Sequence, residues 1–309
     1  MQHVPFAKAL LAALPLLAAC APTAAADAPP PPTTAEARAQ GAALAQACDG
    51  RDGWSDPAPP ARIHGDTYYV GTCGISVLLI TSPAGHVLID GATAEAVPSI
   101  LANIRTLGFD PRDVKLIVGS HEHYDHMGGL AGLAAATGAQ VWTSAPARAS
   151  VTTGAVDAAD PQFGLIDGMT PVPVANTFAD GAPITLDGHT FAPVPVLTPG
   201  HTDGGTSWTW QSCEGETCVN FAFVDSLSAV SRDDYRFTDH PERVAPFAAT
   251  FAKVAAMPCD ILVTPHHSGS NLFPRLAGDA PLIDPTACRT LVEASRQRLD
   301  TRLAEEATN

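Results

Sequence analysis

Positive charge is scarce in this chain. Its 309 residues carry 17 Lys and Arg against 32 Asp and Glu, a formal net charge of −15. No basic patch interrupts that excess, so phosphate backbones would be repelled and no nucleic-acid partner is expected. No apolar stretch of about 20 residues follows the N-terminus, which leaves no candidate membrane span there. None of the seven cysteines lies in a CxxC pair, which argues against thiolate metal sites. No internal repeat is strong enough to divide the chain. What remains is globular, with 46% apolar residues in a length that suits one large domain or two small ones.

The N-terminus reads as a targeting segment. Lys8 precedes an apolar stretch from Ala9 to Ala19, too short to span a bilayer and of signal-peptide length. Its end, Leu17-Ala18-Ala19-Cys20, resembles a bacterial lipobox with Cys20 as the lipidated residue. Cleavage after the Ala-rich stretch ending at Ala26 is the alternative. Residues 1–20 are thus read as signal, 21–47 as a flexible Ala- and Pro-rich tether, and 48–309 as the folded domain. Setting Cys20 aside leaves six cysteines, enough for three disulfides in an exported protein, with fifteen possible pairings.

The densest chemistry is Ser120-His121-Glu122-His123-Tyr124-Asp125-His126. Imidazole and carboxylate are the ligands zinc takes when thiolate is absent. The preceding Val114-Lys115-Leu116-Ile117-Val118 is apolar and β-branched, a buried strand by pattern. The cluster is therefore expected on a loop at a strand's C-terminal end, before a helix, where α/β proteins place ligand sites. His201 follows Pro193–Leu197 and His266 follows Ile261–Val263 in the same context. Five histidines and Asp125 could converge at one sheet edge. His3, His64, His86, His189 and His240 lack that context and are read as surface or loop residues.

Periodicity supplies a coarse architecture. Strands are expected at Tyr68–Val70, Ile75–Ile80, Val87–Ile89, Val114–Val118 and Ala139–Thr143 in the first half. They recur near Ile184 and at Thr190–Leu197, Gly205–Trp210, Val219–Val224 and Ile261–Val263. Helices are expected at Ala94–Leu107, Met127–Ala136, Pro241–Met257 and Pro285–Leu303. Two β-rich halves with helices between them suit an α/β, αβ/βα sandwich.

The order and spacing His121-x-His123-x-Asp125-His126, then His201 and His266, resemble the signature of the metallo-β-lactamase superfamily. Asp225-Ser226-Leu227-Ser228, Pro258-Cys259-Asp260 and Cys288 are similar to class B β-lactamases of the third subclass. Trp208–Cys213 with Cys218 resembles a disulfide-rich branch of it. The resemblance spans about Ile63 to Arg302. It implies the four-layer metallo-β-lactamase fold and two zinc ions (Zn2+). His121, His123 and His201 would hold one, and Asp125, His126 and His266 the other. It also implies the pairs Cys48–Cys73, Cys213–Cys218 and Cys259–Cys288.

The implied reaction is hydrolysis of the amide bond of β-lactam antibiotics (penicillins, cephalosporins, carbapenems), giving resistance. Asp125 is the expected catalytic carboxylate, holding the attacking oxygen. Ser226 and Ser228 would contact the substrate carboxylate, and Gln162 would line the pocket. Asp90 would support the metal loops. Asp225 keeps two relatives open, since a nearby Asp bridges both metals in glyoxalases and lactonases. The alternatives are therefore a dinuclear hydrolase of lactones or thioesters, and a zinc-binding envelope lipoprotein. Asp203 and His267 replace residues usual in relatives; Asp203 is expected to face solvent, and His266 rather than His267 to ligate. The expected setting is the periplasm, on the outer membrane through Cys20, as a monomer.

Overall fold

The computed structural model describes residues 1–2 and 34–308, so residues 3–20 of the expected signal segment, Cys20 among them, and residues 21–33 of the expected tether lie outside the described residues. Within the described part of that expected tether, residues 34–47 are not a flexible linker. They form helix α1 (Thr34–Ala47), with Leu44 fully buried. The Ala-rich composition that suggests a flexible linker is also the composition with the highest helix propensity. Gly41 lets α1 approach closely, since a Cβ there would meet the Leu276 carbonyl oxygen at 2.3 Å.

A seven-stranded sheet follows in the order β1 to β7. Its strands are β1 (Ala61–His64), β2 (Thr67–Tyr69), β3 (Leu78–Ile80), β4 (His86–Ile89), β5 (Val114–Val118), β6 (Gln140–Ser144) and β7 (Val174–Phe178). Strands β1 to β4 run antiparallel and β4 to β7 parallel. Helices α2 (Val97–Thr106), α3 (Tyr124–Met127), α4 (Leu130–Thr137) and α5 (Arg148–Thr153) lie between the later strands. A small ribbon, β8 (Thr185–Leu186) with β9 (His189–Thr190), precedes the second sheet. That sheet has the order β10 (Val194–Leu197), β11 (Thr206–Glu214), β12 (Thr217–Phe223) and β13 (Ile261–Val263), with β12 and β13 parallel. Helices α6 (Pro241–Ala256), α7 (Leu272–Ala277) and α8 (Ala287–Thr308) complete the chain.

Side-chain alternation turns these elements into layers. Leu78, Ile80, Val87, Ile89, Leu116 and Val118 face Trp208, Trp210, Phe221, Phe223, Ile261 and Val263 in one core between the sheets. Their neighbours Leu79, Leu88 and Ile117 point the other way, into a core with Ile100, Ile104, Leu130 and Leu133 from α2 and α4. On the far side, Ala222, Val224 and Leu262 pack with Phe247, Phe251 and Val254 of α6 and Val292 and Leu299 of α8. The result is helix, sheet, sheet, helix, the expected sandwich.

Several expected bounds shift. Only Leu78–Ile80 of the run from Ile75 pairs as a strand. Ile75 instead bridges to His266, and Ser76 N donates to Pro265 O at 2.7 Å, which ties the first sheet to the segment carrying His266. The helix expected from Met127 begins at Tyr124, so Asp125 and His126 sit on a helical turn rather than a loop. His86 is not a surface residue; it is buried in β4, edge-on to Phe109. The six cysteines pair 48 with 73, 213 with 218 and 259 with 288, as the resemblance implied.

Candidate metal centre

Four strand ends meet at one edge of the sandwich. The segment after β5 carries His121, His123, Asp125 and His126; those after β10, β12 and β13 carry His201, Asp225 and His266. Strands end there because Gly119, Gly200 and Pro265 break the ladder at these points. Trp208, fully buried between the sheets, donates from Nε1 to Gly119 O at 3.2 Å and pins the first segment.

His121, His123 and His201 offer three buried ligand atoms within 4.8 Å of one another, and His121, Asp125 and His126 form a second such group. Adjacent imidazole centroids lie 4.2 to 5.0 Å apart across the cluster. His266 is half exposed; its Nε2 lies 3.3 Å from Asp125 Oδ2. The ring of His267 stacks instead on that of Phe273, 3.6 Å away, whereas the His266 ring lies 5.0 Å from that of His126, so His266 is the one that faces the site.

Each imidazole of the first group is oriented by a partner on its outer nitrogen. His121 Nδ1 lies 2.8 Å from Asp225 Oδ1. His123 Nε2 lies 2.9 Å from Asp160 Oδ2, and His201 Nδ1 donates to Ser228 O at 2.8 Å. An acceptor on one ring nitrogen fixes the proton there and directs the lone pair to the other, as metal ligation requires. Burial lowers the His201 pKa to about 4 and holds His121 well below the usual range, so both rings are neutral at pH 7. Burial alone would lower the His126 pKa as well, but the Asp125 and Asp90 carboxylates raise it overall.

The donor set fits metal ions. His126 is completely buried, yet neither ring nitrogen has a hydrogen bond of normal geometry; Asp225 Oδ2 is equally orphaned. Such atoms are costly unless something polar meets them. Three imidazoles on one side, and a carboxylate with imidazoles on the other, match zinc's preferences.

The remaining expected residues fall nearby. Asp90, in a left-handed backbone conformation (φ 65°), accepts from Ser120 N at 2.5 Å and Ser120 Oγ at 2.8 Å. Its Oδ2 lies 3.3 Å from His126 Nδ1, so it braces the loop from below. Gln162 Nε2 lies 3.4 Å from His201 Nε2, which places the amide at the cluster. Ser226 and Ser228 are half-buried beside it, and Ser228 acts on His201 through its carbonyl. Asp203 pairs with Arg243 at 2.6 Å, away from the imidazoles. Two residues without an assigned role in the sequence prove central. Asp160 orients His123, and buried Glu122 accepts from Thr202 Oγ1 and Gly204 N. Only the position of Glu122 between two ligands hinted at its role.

Comparison with known proteins converges on one family. Residues 70–213 match the model of the metallo-beta-lactamase superfamily. The metallo-β-lactamase MIM-1 from Novosphingobium pentaromativorans is 52% identical over 86% of this chain and 98% of its own, with a TM-score of 0.83. SMB-1, solved with 2-mercaptoethanesulfonate, is 42% identical over 82% of this chain and 99% of its own, with a TM-score of 0.77. MEM-A1, a subclass B3 enzyme from a soil metagenome library, is 40% identical over 83% of this chain and 99% of its own, at a TM-score of 0.76. A curated N-acyl homoserine lactonase AttM of Agrobacterium fabrum is 36% identical over 78 residues, 18% of this chain. The chain spans 30% of that relative's length. With near-complete coverage by enzymes of one subclass and a buried imidazole–carboxylate cluster at the sheet edge, this chain belongs to the metallo-β-lactamase superfamily, in subclass B3.

Proposed function

We propose that this protein hydrolyses the amide bond of β-lactam antibiotics, carbapenems included, with two zinc ions per chain, and so confers resistance. The observation that carries this reading is the pair of buried ligand groups, His121–His123–His201 and Asp125–His126 with His266 beside it. Bound there, zinc supplies Lewis acidity and makes water nucleophilic near neutral pH. Asp125 holds the attacking water through its carboxylate. The Ser226 and Ser228 hydroxyls receive the substrate carboxylate, and the Gln162 amide closes the mouth beside His201. As the C–N bond breaks, the ring nitrogen takes a proton and the product leaves as an amino acid. No residue of the chain needs to form a covalent intermediate.

The decisive assay offers a penicillin, a carbapenem, an acyl-homoserine lactone and S-lactoylglutathione to the zinc-loaded protein. Rapid lactam turnover that a chelator abolishes, zinc restores and clavulanate leaves intact is expected. Lactone cleavage without lactam turnover would hand the function to the second reading, which the 78-residue likeness to AttM favours. Elemental analysis should approach two zinc equivalents; a plateau at one would remove the second site. We also propose a periplasmic, monomeric enzyme tethered to the outer membrane by lipid on Cys20. Cys20→Ala should then move it from membranes to the soluble fraction, and an unmodified chain starting near Asp27 would refute the anchor.

A further inference from the structure

Glu122 stands between two imidazoles of the first ligand group, and its side chain is committed to a third. The residue is buried. Its carboxylate accepts from Thr202 Oγ1 through Oε2 at 2.8 Å and from Gly204 N through Oε1 at 2.9 Å. Those two donors lie just beyond His201, some eighty positions along the chain. Gly204 is shaped to this contact: a Cβ there would meet Glu122 Oε2 at 2.4 Å and the Ala147 Cβ at 2.6 Å. The Gly204 carbonyl accepts from Ser144 Oγ at 2.8 Å, which anchors the junction to the end of β6.

We infer that Glu122 is a positioning residue for the three-imidazole site. Its carboxylate clamps the segment bearing His201 onto the segment bearing His121 and His123, and thereby sets the site's metal affinity. The inference rests on the metal-binding reading above. The geometry is economical. Glu122 is covalently adjacent to two ligands and hydrogen-bonded to the residues following the third, so one side chain fixes the relative position of all three. Without the clamp His201 keeps its bond to Ser228 O, but its backbone gains freedom that metal binding must then remove. Residues that orient ligands typically change metal affinity by about 10- to 100-fold. Because the Ser228 bond survives, the lower end of that range is expected.

The test is chelator competition with zinc, and the visible absorption spectrum of the cobalt(II) protein, on the full chain and its variants. Glu122→Ala should weaken zinc binding at the three-imidazole site about tenfold and alter the cobalt(II) bands. Glu122→Gln should stay within about threefold of wild type, because its amide can accept from Gly204 N and donate to Thr202 Oγ1. Melting of the metal-free proteins separates a fold defect from a site defect. A lower melting temperature in Glu122→Ala, with wild-type zinc affinity and an unchanged cobalt(II) spectrum, would overturn the inference. So would a Gln variant as weak as the Ala one. If Glu122→Ala fails to fold, Thr202→Val decides: a severalfold loss of affinity supports the clamp and none refutes it. Wild-type protein that binds no metal would instead sink the metal reading itself.

Discussion

Cutting Cys259–Cys288 should cost this protein more stability than cutting Cys213–Cys218, by an amount the topology sets. The first bond joins Cys259, two residues before β13, to the start of α8, across 29 positions. The second links directly opposed residues of the β11–β12 hairpin, five positions apart. Chain-entropy arithmetic assigns about 3.6 kcal/mol to the longer loop and about 2.2 kcal/mol to the shorter. Burial widens the gap. Cys259 and Cys288 are 7% and 2% exposed and pack beside Phe251 and Val292, whereas the hairpin pair lies on the surface. Deleting two buried sulfurs adds a packing loss on the order of 1 kcal/mol. At roughly 3 °C per kcal/mol for a chain this size, the double change Cys259→Ala/Cys288→Ala should lower the melting temperature by about 14 °C. Cys213→Ala/Cys218→Ala should lower it by about 7 °C on the same scale. Differential scanning calorimetry at matched zinc occupancy measures both. Equal losses would show that α8 is held by packing alone and that loop length is not what the bond contributes.

Asp225→Ala removes the acceptor from His121 Nδ1 and should weaken metal binding about 10- to 100-fold in chelator competition, with little effect if the ring is held by packing. Arg302 of α8 donates to Ala229 O at 3.0 Å and Ser231 Oγ at 2.7 Å, just beyond the Ser226–Ser228 segment. Arg302→Ala should cost about 2 kcal/mol in urea unfolding and raise KM more than it lowers kcat; Lys, lacking the guanidinium fork, should restore little. Asp180 is partly buried, which raises its pKa, but Lys253 Nζ at 2.6 Å and Leu197 N at 2.8 Å lower it overall. Its contribution is therefore present above the ordinary carboxylate pKa and lost as pH falls through the lower folded value. The stability gap between wild type and Asp180→Asn should be open at pH 7 and close towards pH 2; a gap independent of pH would refute the pairing.

Much of the site could be read from residue order. Ligand types, their spacing around His121 and their place after β-branched runs follow from zinc chemistry and strand patterning, which are local properties. The same locality explains the misreadings. Half of residues 34–47 are Ala, and only the groove beside α7 makes that stretch a packed helix rather than a tether. His86 looks like any turn histidine until Phe109 covers it.

The sequence alone therefore determined which atoms could bind metal and which strands present them, because both depend on residue chemistry and on periods of two and 3.6. Only the tertiary structure decided how those ligands are aimed. Asp160, Asp225, Ser228 and Glu122 reach their imidazoles or loops across 27 to 104 positions of chain. Such contacts leave no periodic trace, since they arise where separate strand ends come together at one edge of two stacked sheets.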